Sequence, residues 1–110
     1  MKGQCHCGRV QLETPGEPPR LNPCSCSICH RYGALWGYFP AGSVDIIGDT
    51  ETYVWGAKEI QFHRCAKCGV LTHWTSNGAA FEKMGVNMRN FDADALSGIP
   101  VLDKYADQKP

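Results

Sequence analysis

The sequence predicts a mainly β fold, in which short strands are joined by turns and by one or two short helical turns. Apolar and polar residues alternate over short stretches such as residues 10–13 and 59–63, which is typical of half-buried strands. The chain contains 12 glycines and 7 prolines, and many of them separate these stretches. At 110 residues the chain can build one hydrophobic core but not two, so we expect a single domain over residues 1–110.

The predicted elements follow from these patterns in chain order. Val10 and Leu12 alternate with polar neighbours in a first strand over residues 3–13, and a proline-rich loop follows. A helical turn should begin near Ser27 and end at Gly33, because glycine commonly terminates helices. Further strands are predicted over residues 34–39, 44–47, 51–55, 59–63, 70–75 and 81–89, with a short helical turn over residues 92–96.

Charge and hydropathy argue against several classes of protein. The chain has 11 basic and 11 acidic residues, so its formal net charge of zero does not favour a nucleic-acid surface. No apolar run approaches the roughly 18–20 residues needed to span a bilayer. Residues 1–4 lead directly into Cys5 without the apolar region of a secretory signal, so we expect a cytoplasmic protein. In that reducing compartment closely spaced cysteines favour metal binding over disulfides.

The seven cysteines form three short motifs that divide into a group of four and a group of three. Zinc prefers four ligands in a tetrahedron; structural sites take all four from the protein, and reactive sites take three. Cysteines spaced Cys-x-Cys on an extended backbone point the same way, and a Cys-x-x-Cys turn followed by glycine is a zinc knuckle. We therefore predict a closed structural zinc site formed by Cys5, Cys7, Cys65 and Cys68. An open zinc site that could do chemistry is predicted at Cys24, Cys26 and Cys29.

The three-cysteine motif has a second interpretation. It could be another structural site whose fourth ligand is water or a histidine, since closed sites of three cysteines and one histidine occur. The candidate histidines are His30, beside Cys29, and His63 and His73, which flank the knuckle. His6 should face away from the four-cysteine site, because it lies between two residues that point the other way on an extended backbone.

Three stretches of the chain carry a resemblance to a known family. They are the start Gly3-Gln4-Cys5-His6-Cys7-Gly8-x-Val10, the motif Cys24-x-Cys26-x-x-Cys29 with Arg31 and Gly33, and Phe62 ahead of Cys65-x-x-Cys68-Gly69-x-Leu71. In order and rough spacing they resemble the glutathione-dependent formaldehyde-activating enzyme family, which also includes centromere protein V. The resemblance covers nearly the whole chain, and Ser25 occupies a position where the family often has histidine.

The resemblance implies a small β-tent-like fold with two zinc ions per chain. It implies that the four-cysteine zinc is structural and that the zinc at Cys24, Cys26 and Cys29 is reactive, which makes these three residues the catalytic candidates. The implied activity is that of a carbon–sulfur lyase, which condenses formaldehyde with glutathione to S-hydroxymethylglutathione. Zinc could serve by lowering the pKa of a bound thiol or by polarising the aldehyde oxygen, and the sequence does not choose between these roles.

Other side chains are candidates for substrate binding or for the core. The carboxylates of glutathione could bind cationic side chains, best arginine, and the candidates are Arg31, Arg64, Lys67 and Arg89. Aromatic residues expected mainly in the core are Trp36, Tyr38, Phe39, Tyr53 and Trp55. Two other function classes remain open, a zinc-stabilised binding module without catalytic activity and a redox or metal-buffering protein. The oligomeric state does not follow from the sequence.

Overall fold

The computed structural model describes residues 1–56, 58–78 and 82–102, so Phe81, the predicted start of the last strand, lies outside the described residues. Within these ranges the chain forms two antiparallel sheets and short helices, which confirms the prediction of a mainly β fold. None of the helices found in these ranges is long and apolar enough to cross a membrane.

The elements divide between a small sheet and a larger one. In the described ranges the strands are β1 (Lys2–Gln4), β2 (Gln11–Glu13), β3 (Asn22–Pro23), β4 (Leu35–Pro40), β5 (Asp45–Ile47), β6 (Thr50–Tyr53), β7 (Ile60–Cys65), β8 (Leu71–Ser76) and β9 (Lys83–Asn87). The helices are α1 (Ser27–Tyr32), α2 (Ala93–Leu96) and a 3₁₀ turn (Met88–Asn90). The small sheet has the order β1-β2-β5 and the large sheet β3-β4-β9-β8-β7-β6, which makes β6 an edge strand.

The buried side chains form two clusters. Val10, Leu12, Val86 and Met88, each at most 1% exposed, are central to the first cluster. The second, which we call the aromatic cluster, consists of Cys29, Ala34, Trp36, Phe62, Leu71 and Trp74. Cys24 and Cys26 pack against the aromatic cluster, so the whole three-cysteine motif is supported by it.

A tight turn interrupts the first predicted strand, so the prediction of one continuous strand over residues 3–13 is wrong. β1 and β2 are separated by a turn over residues 5–8 and become antiparallel neighbours. Gly8 has a positive φ of 81°, and its N–H donates to the carbonyl of Cys5 at 3.1 Å. Such a φ is readily adopted only by glycine, which is why the chain can reverse here.

Helix α1 forms where it was predicted because the sequence supplies both of its caps. Cys26 is the N-cap, and its sulfur accepts a hydrogen bond from the N–H of Cys29 at 3.4 Å. Gly33 ends the helix with a φ of 65°. The Nε of Arg89 donates to the carbonyl of Gly33 at 2.7 Å, so the end of α1 is tied to the segment that follows β9.

The expectation that the aromatic residues lie mainly in the core is correct on β4 and wrong on β6. Trp36 and Phe39 are buried and Tyr38 is half-buried. Tyr53 and Trp55, in contrast, are 48% and 40% exposed. Both lie on or just beyond the edge strand β6, and an edge strand has a neighbouring strand on one side instead of two.

Candidate functional site

The four-cysteine group joins two distant parts of the chain. Cys5 and Cys7 lie in the turn after β1, whereas Cys65 ends β7 and Cys68 lies in the turn that follows it. One sulfur atom from each residue lies within 4.8 Å of the other three. The structure therefore brings together all four residues that the motif spacing assigned to one site.

The sulfur–sulfur distances in this group fit a metal better than a disulfide. The Sγ atoms of Cys5 and Cys7 are 3.7 Å apart, and those of Cys7 and Cys65 are 3.6 Å apart. Tetrahedral zinc with Zn–S bonds of about 2.3 Å places its sulfur ligands about 3.8 Å from one another. A disulfide requires about 2.05 Å. The geometry and the all-sulfur donor set therefore fit a structural zinc ion.

Two matching turns build the four-cysteine group. In the first, the N–H of Cys5 donates to the carbonyl of Val10 at 3.0 Å; in the second, the N–H of Cys65 donates to the carbonyl of Val70 at 2.9 Å. Gly69 has a φ of 79°, close to the 81° of Gly8. Both turns are therefore knuckles closed by a glycine, which lies three residues after Cys5 in the first and four residues after Cys65 in the second. The glycine directly after the second cysteine of each motif was the sequence signal for the first knuckle, and it was missed.

Backbone amides favour the thiolate form in the second knuckle. The N–H groups of Lys67 and Cys68 each donate to the sulfur of Cys65 at 3.4 Å. Hydrogen bonds from the amides of Val70 and Cys7 lower the pKa of the Cys68 thiol to about 6. Because zinc binds thiolates rather than thiols, these donors prepare the turn for a metal at neutral pH.

The three-cysteine group lies at the start of α1, and one short segment supplies all three of its residues. Cys24 follows β3, Cys26 caps the helix, and Cys29 is buried on its first turn. Their three sulfur atoms lie within 4.8 Å of one another. One turn of helix brings an N-cap close to the residue three positions later. The spacing of Cys26 and Cys29 therefore places their sulfur atoms near each other.

The thiols of this group have unequal surroundings. Burial would raise the pKa of Cys26, but hydrogen bonds from the amide of Cys29 and from the neighbouring thiols outweigh it, so the pKa of Cys26 lies below its usual value. Burial raises the pKa of the Cys29 thiol, and a hydrogen bond from the Trp36 side chain opposes that shift. Without metal, Cys26 is therefore the member that is most readily deprotonated.

No histidine in the described ranges joins the three-cysteine group. His30 is exposed, whereas the rings of His63 and His73 stack on each other with centroids 4.1 Å apart. His63 also contacts Thr50 at 3.0 Å through Nδ1 and Thr75 at 2.8 Å through Nε2. Burial, with a smaller contribution from His63, lowers the pKa of His73 to about 3, so it stays neutral. The stacked pair therefore packs within the sheet.

The four candidate cations have different surroundings. Arg31 donates to the carbonyl of Ser27 on its own helix, and Arg89 is held by the carbonyl of Gly33. Lys67 lies in the second knuckle. Arg64 projects from β7 and pairs with the exposed carboxylate of Glu51 at 3.3 Å.

A separate groove of about 520 Å³ lies on the small sheet, and no cysteine lines it. Its polar lining comes from β1, β2 and β5 together with Asn90 and Asp92. The groove is therefore distinct from both cysteine groups.

Comparison with known proteins identifies the family. A family model described as glutathione-dependent formaldehyde-activating enzyme matches residues 1–107. A crystal structure of a Rhodobacter sphaeroides protein is 26% identical and has a TM-score of 0.73, covering 93% of this chain and 100% of that protein. No curated protein matches the chain significantly. The resemblance seen in the three cysteine motifs is thus confirmed, and the chain belongs to the glutathione-dependent formaldehyde-activating enzyme family.

Proposed function

We propose that this protein is a zinc-dependent, carbon–sulfur lyase-like enzyme that joins glutathione to a small aldehyde, formaldehyde, to give S-hydroxymethylglutathione. The observation that carries the proposal is the three-cysteine group, which stands apart from the group that fits a structural zinc and supplies three ligands instead of four. Family membership supplies the substrates. The proposal takes the protein to be cytoplasmic, where glutathione is plentiful.

The reaction is an addition whose atoms balance without an oxidant or reductant. The glutathione sulfur forms a bond to the formaldehyde carbon, the carbon–oxygen double bond becomes single, and the thiol proton ends on the oxygen. Cys24, Cys26 and Cys29 would hold the metal. When bound there, zinc would supply either a lowered thiol pKa or polarisation of the aldehyde oxygen.

The residues around the three-cysteine group suit an addition reaction in which water must be kept away from the reacting atoms. Phe62 and Trp36 belong to the buried aromatic cluster, and Tyr38 packs against it. Burial, with smaller contributions from the three cysteines, raises the pKa of Tyr38 to about 12, so its hydroxyl keeps its proton and can donate a hydrogen bond. These aromatic side chains limit the access of water to the side of the sulfur ligands that they cover, and the Tyr38 hydroxyl joins the Trp36 side chain as a polar donor there.

The test is exchange kinetics by NMR on mixtures of glutathione and formaldehyde, with zinc content measured on each sample. Wild type should accelerate formation of the adduct, and Cys26→Ser should abolish the acceleration while the four-cysteine site keeps its zinc. His30→Gln is the matched control, because it changes an exposed neighbour on the same helix and should retain activity and both metals. Wild type that carries two zinc ions but leaves the uncatalysed rate unchanged would favour a zinc-stabilised binding module instead.

A further inference from the structure

We propose that Arg64 and the exposed rings of Tyr32 and Tyr53 form the binding site for the carboxylate-bearing part of the thiol substrate. We call these three residues the tyrosine–arginine patch. The inference rests on the proposed function, because it takes the substrate sulfur to lie at the three-cysteine group. The tyrosine–arginine patch would select a thiol that bears a carboxylate over a neutral thiol.

The patch is continuous with the three-cysteine group. Tyr32 lies three positions after Cys29 on α1, and residues with this spacing share a helix face. The ring of Tyr32 is 5.8 Å from that of Phe62, which in turn is 6.2 Å from Trp36 in the aromatic cluster. A ligand whose sulfur is at the cysteines can therefore extend along Tyr32 towards β6 and β7.

Strand pairing places the other two members on the same side of the sheet. Tyr53 pairs with Phe62 and Glu51 pairs with Arg64 across β6 and β7. Because alternate residues of a strand share a face, Tyr53 and Arg64 lie on the face that Phe62 presents to Tyr32. Burial raises the pKa of Tyr32 and the charge of Arg64 opposes this shift, which agrees with the placement given by the strand pairing.

Among the three candidate arginines, Arg64 is best able to exchange its partner. Its ion pair with Glu51 joins side chains that are 38% and 60% exposed, and exposed ion pairs contribute little to stability. Arg31 and Arg89, in contrast, donate to backbone carbonyls of Ser27 and Gly33. The guanidinium of Arg64 can turn from Glu51 to a ligand carboxylate and bind it through two parallel hydrogen bonds.

The rings supply the apolar part of the site. Tyr32 is 37% exposed and Tyr53 is 48% exposed, so both rings are open to a ligand. Each presents a flat apolar surface together with a hydroxyl group, a combination that suits a short peptide. The patch therefore combines a cation with aromatic surface, which matches a small peptide thiol with a free carboxylate.

Two variants with opposite expected effects on KM test the patch on the zinc-loaded protein. Arg64→Gln should raise KM for glutathione about tenfold, the effect of losing one charge-assisted contact, with kcat little changed. Glu51→Gln should lower KM, because it removes the carboxylate that competes for Arg64. Arg64→Lys should restore part of the loss, and Lys2→Gln on the small sheet controls for the change in net charge. With 2-mercaptoethanol, a thiol without a carboxylate, Arg64→Gln and wild type should behave alike.

Direct binding separates this inference from the proposed function. If wild type does not accelerate the reaction, the proposed function fails, and titration of glutathione into zinc-loaded protein followed by NMR still tests the patch. A Kd raised about tenfold in Arg64→Gln would support it. Equal KM and Kd in wild type and Arg64→Gln, or no binding of glutathione to either, would overturn it.

Discussion

The two cysteine groups have the same donor atoms but differ in how they are joined to the chain. The four-cysteine group links residues that are 58 positions apart, since the sulfur of Cys7 contacts that of Cys65. The three-cysteine group is built from a segment of six residues, from Cys24 to Cys29. A metal in the first group closes a long loop between β1 and β7, whereas a metal in the second is held at one helix start. We therefore propose that the first group serves folding and the second serves chemistry.

The largest expected effect comes from removing one ligand of the long-range group. Cys65→Ser should give insoluble or poorly folded protein, because Cys65 is 2% exposed and the metal's binding free energy contributes directly to folding. Its matched control is Cys26→Ser, since serine is itself a good N-cap and should preserve helix α1. Melting temperature and zinc content of the two variants should be compared. A Cys65→Ser protein with the wild-type melting temperature and two zinc ions contradicts the assignment.

A smaller effect is expected when metal is removed from the intact protein. Three protein ligands hold a zinc ion less tightly than four, so graded addition of a chelator should first remove zinc from the three-cysteine group. Circular dichroism should show little loss of β structure during that step, and unfolding should accompany loss of the second ion. If β structure is lost together with the first ion, the two roles are assigned the wrong way round.

The smallest effect tests whether the two knuckles are equivalent. Gly8→Ala and Gly69→Ala should each destabilise the fold by about 1 kcal/mol, because both glycines have φ near 80° and no backbone atom crowds the added carbon. Gly16→Ala is the control, since its φ is not positive and nothing lies within 4 Å of the new carbon. Denaturant unfolding measures all three. A large difference between Gly8→Ala and Gly69→Ala means that only one knuckle is required.

Features set by short-range spacing were predictable, and features set by strand order were not. The three cysteine motifs and the two ends of α1 follow from short-range signals: close cysteine spacing, the N-cap Cys26 and the C-terminal Gly33. The exposure of Tyr53 depends on β6 being the edge of the large sheet, which no local pattern encodes. The placement of Arg64 on the face that Phe62 presents to Tyr32 likewise depends on which strand faces the helix. The first knuckle was missed because alternating residues concealed a turn.

The spacing of the two groups along the chain also sets the order in which they can be completed during synthesis. All ligands of the three-cysteine group have been made once the ribosome passes Cys29, and its N-cap hydrogen bond is local. The four-cysteine group cannot close until Cys68 has emerged. The nascent chain thus completes first the group that we expect to release zinc first from the finished protein. Metal loading during synthesis and metal loss from the finished protein should therefore both begin at the three-cysteine group.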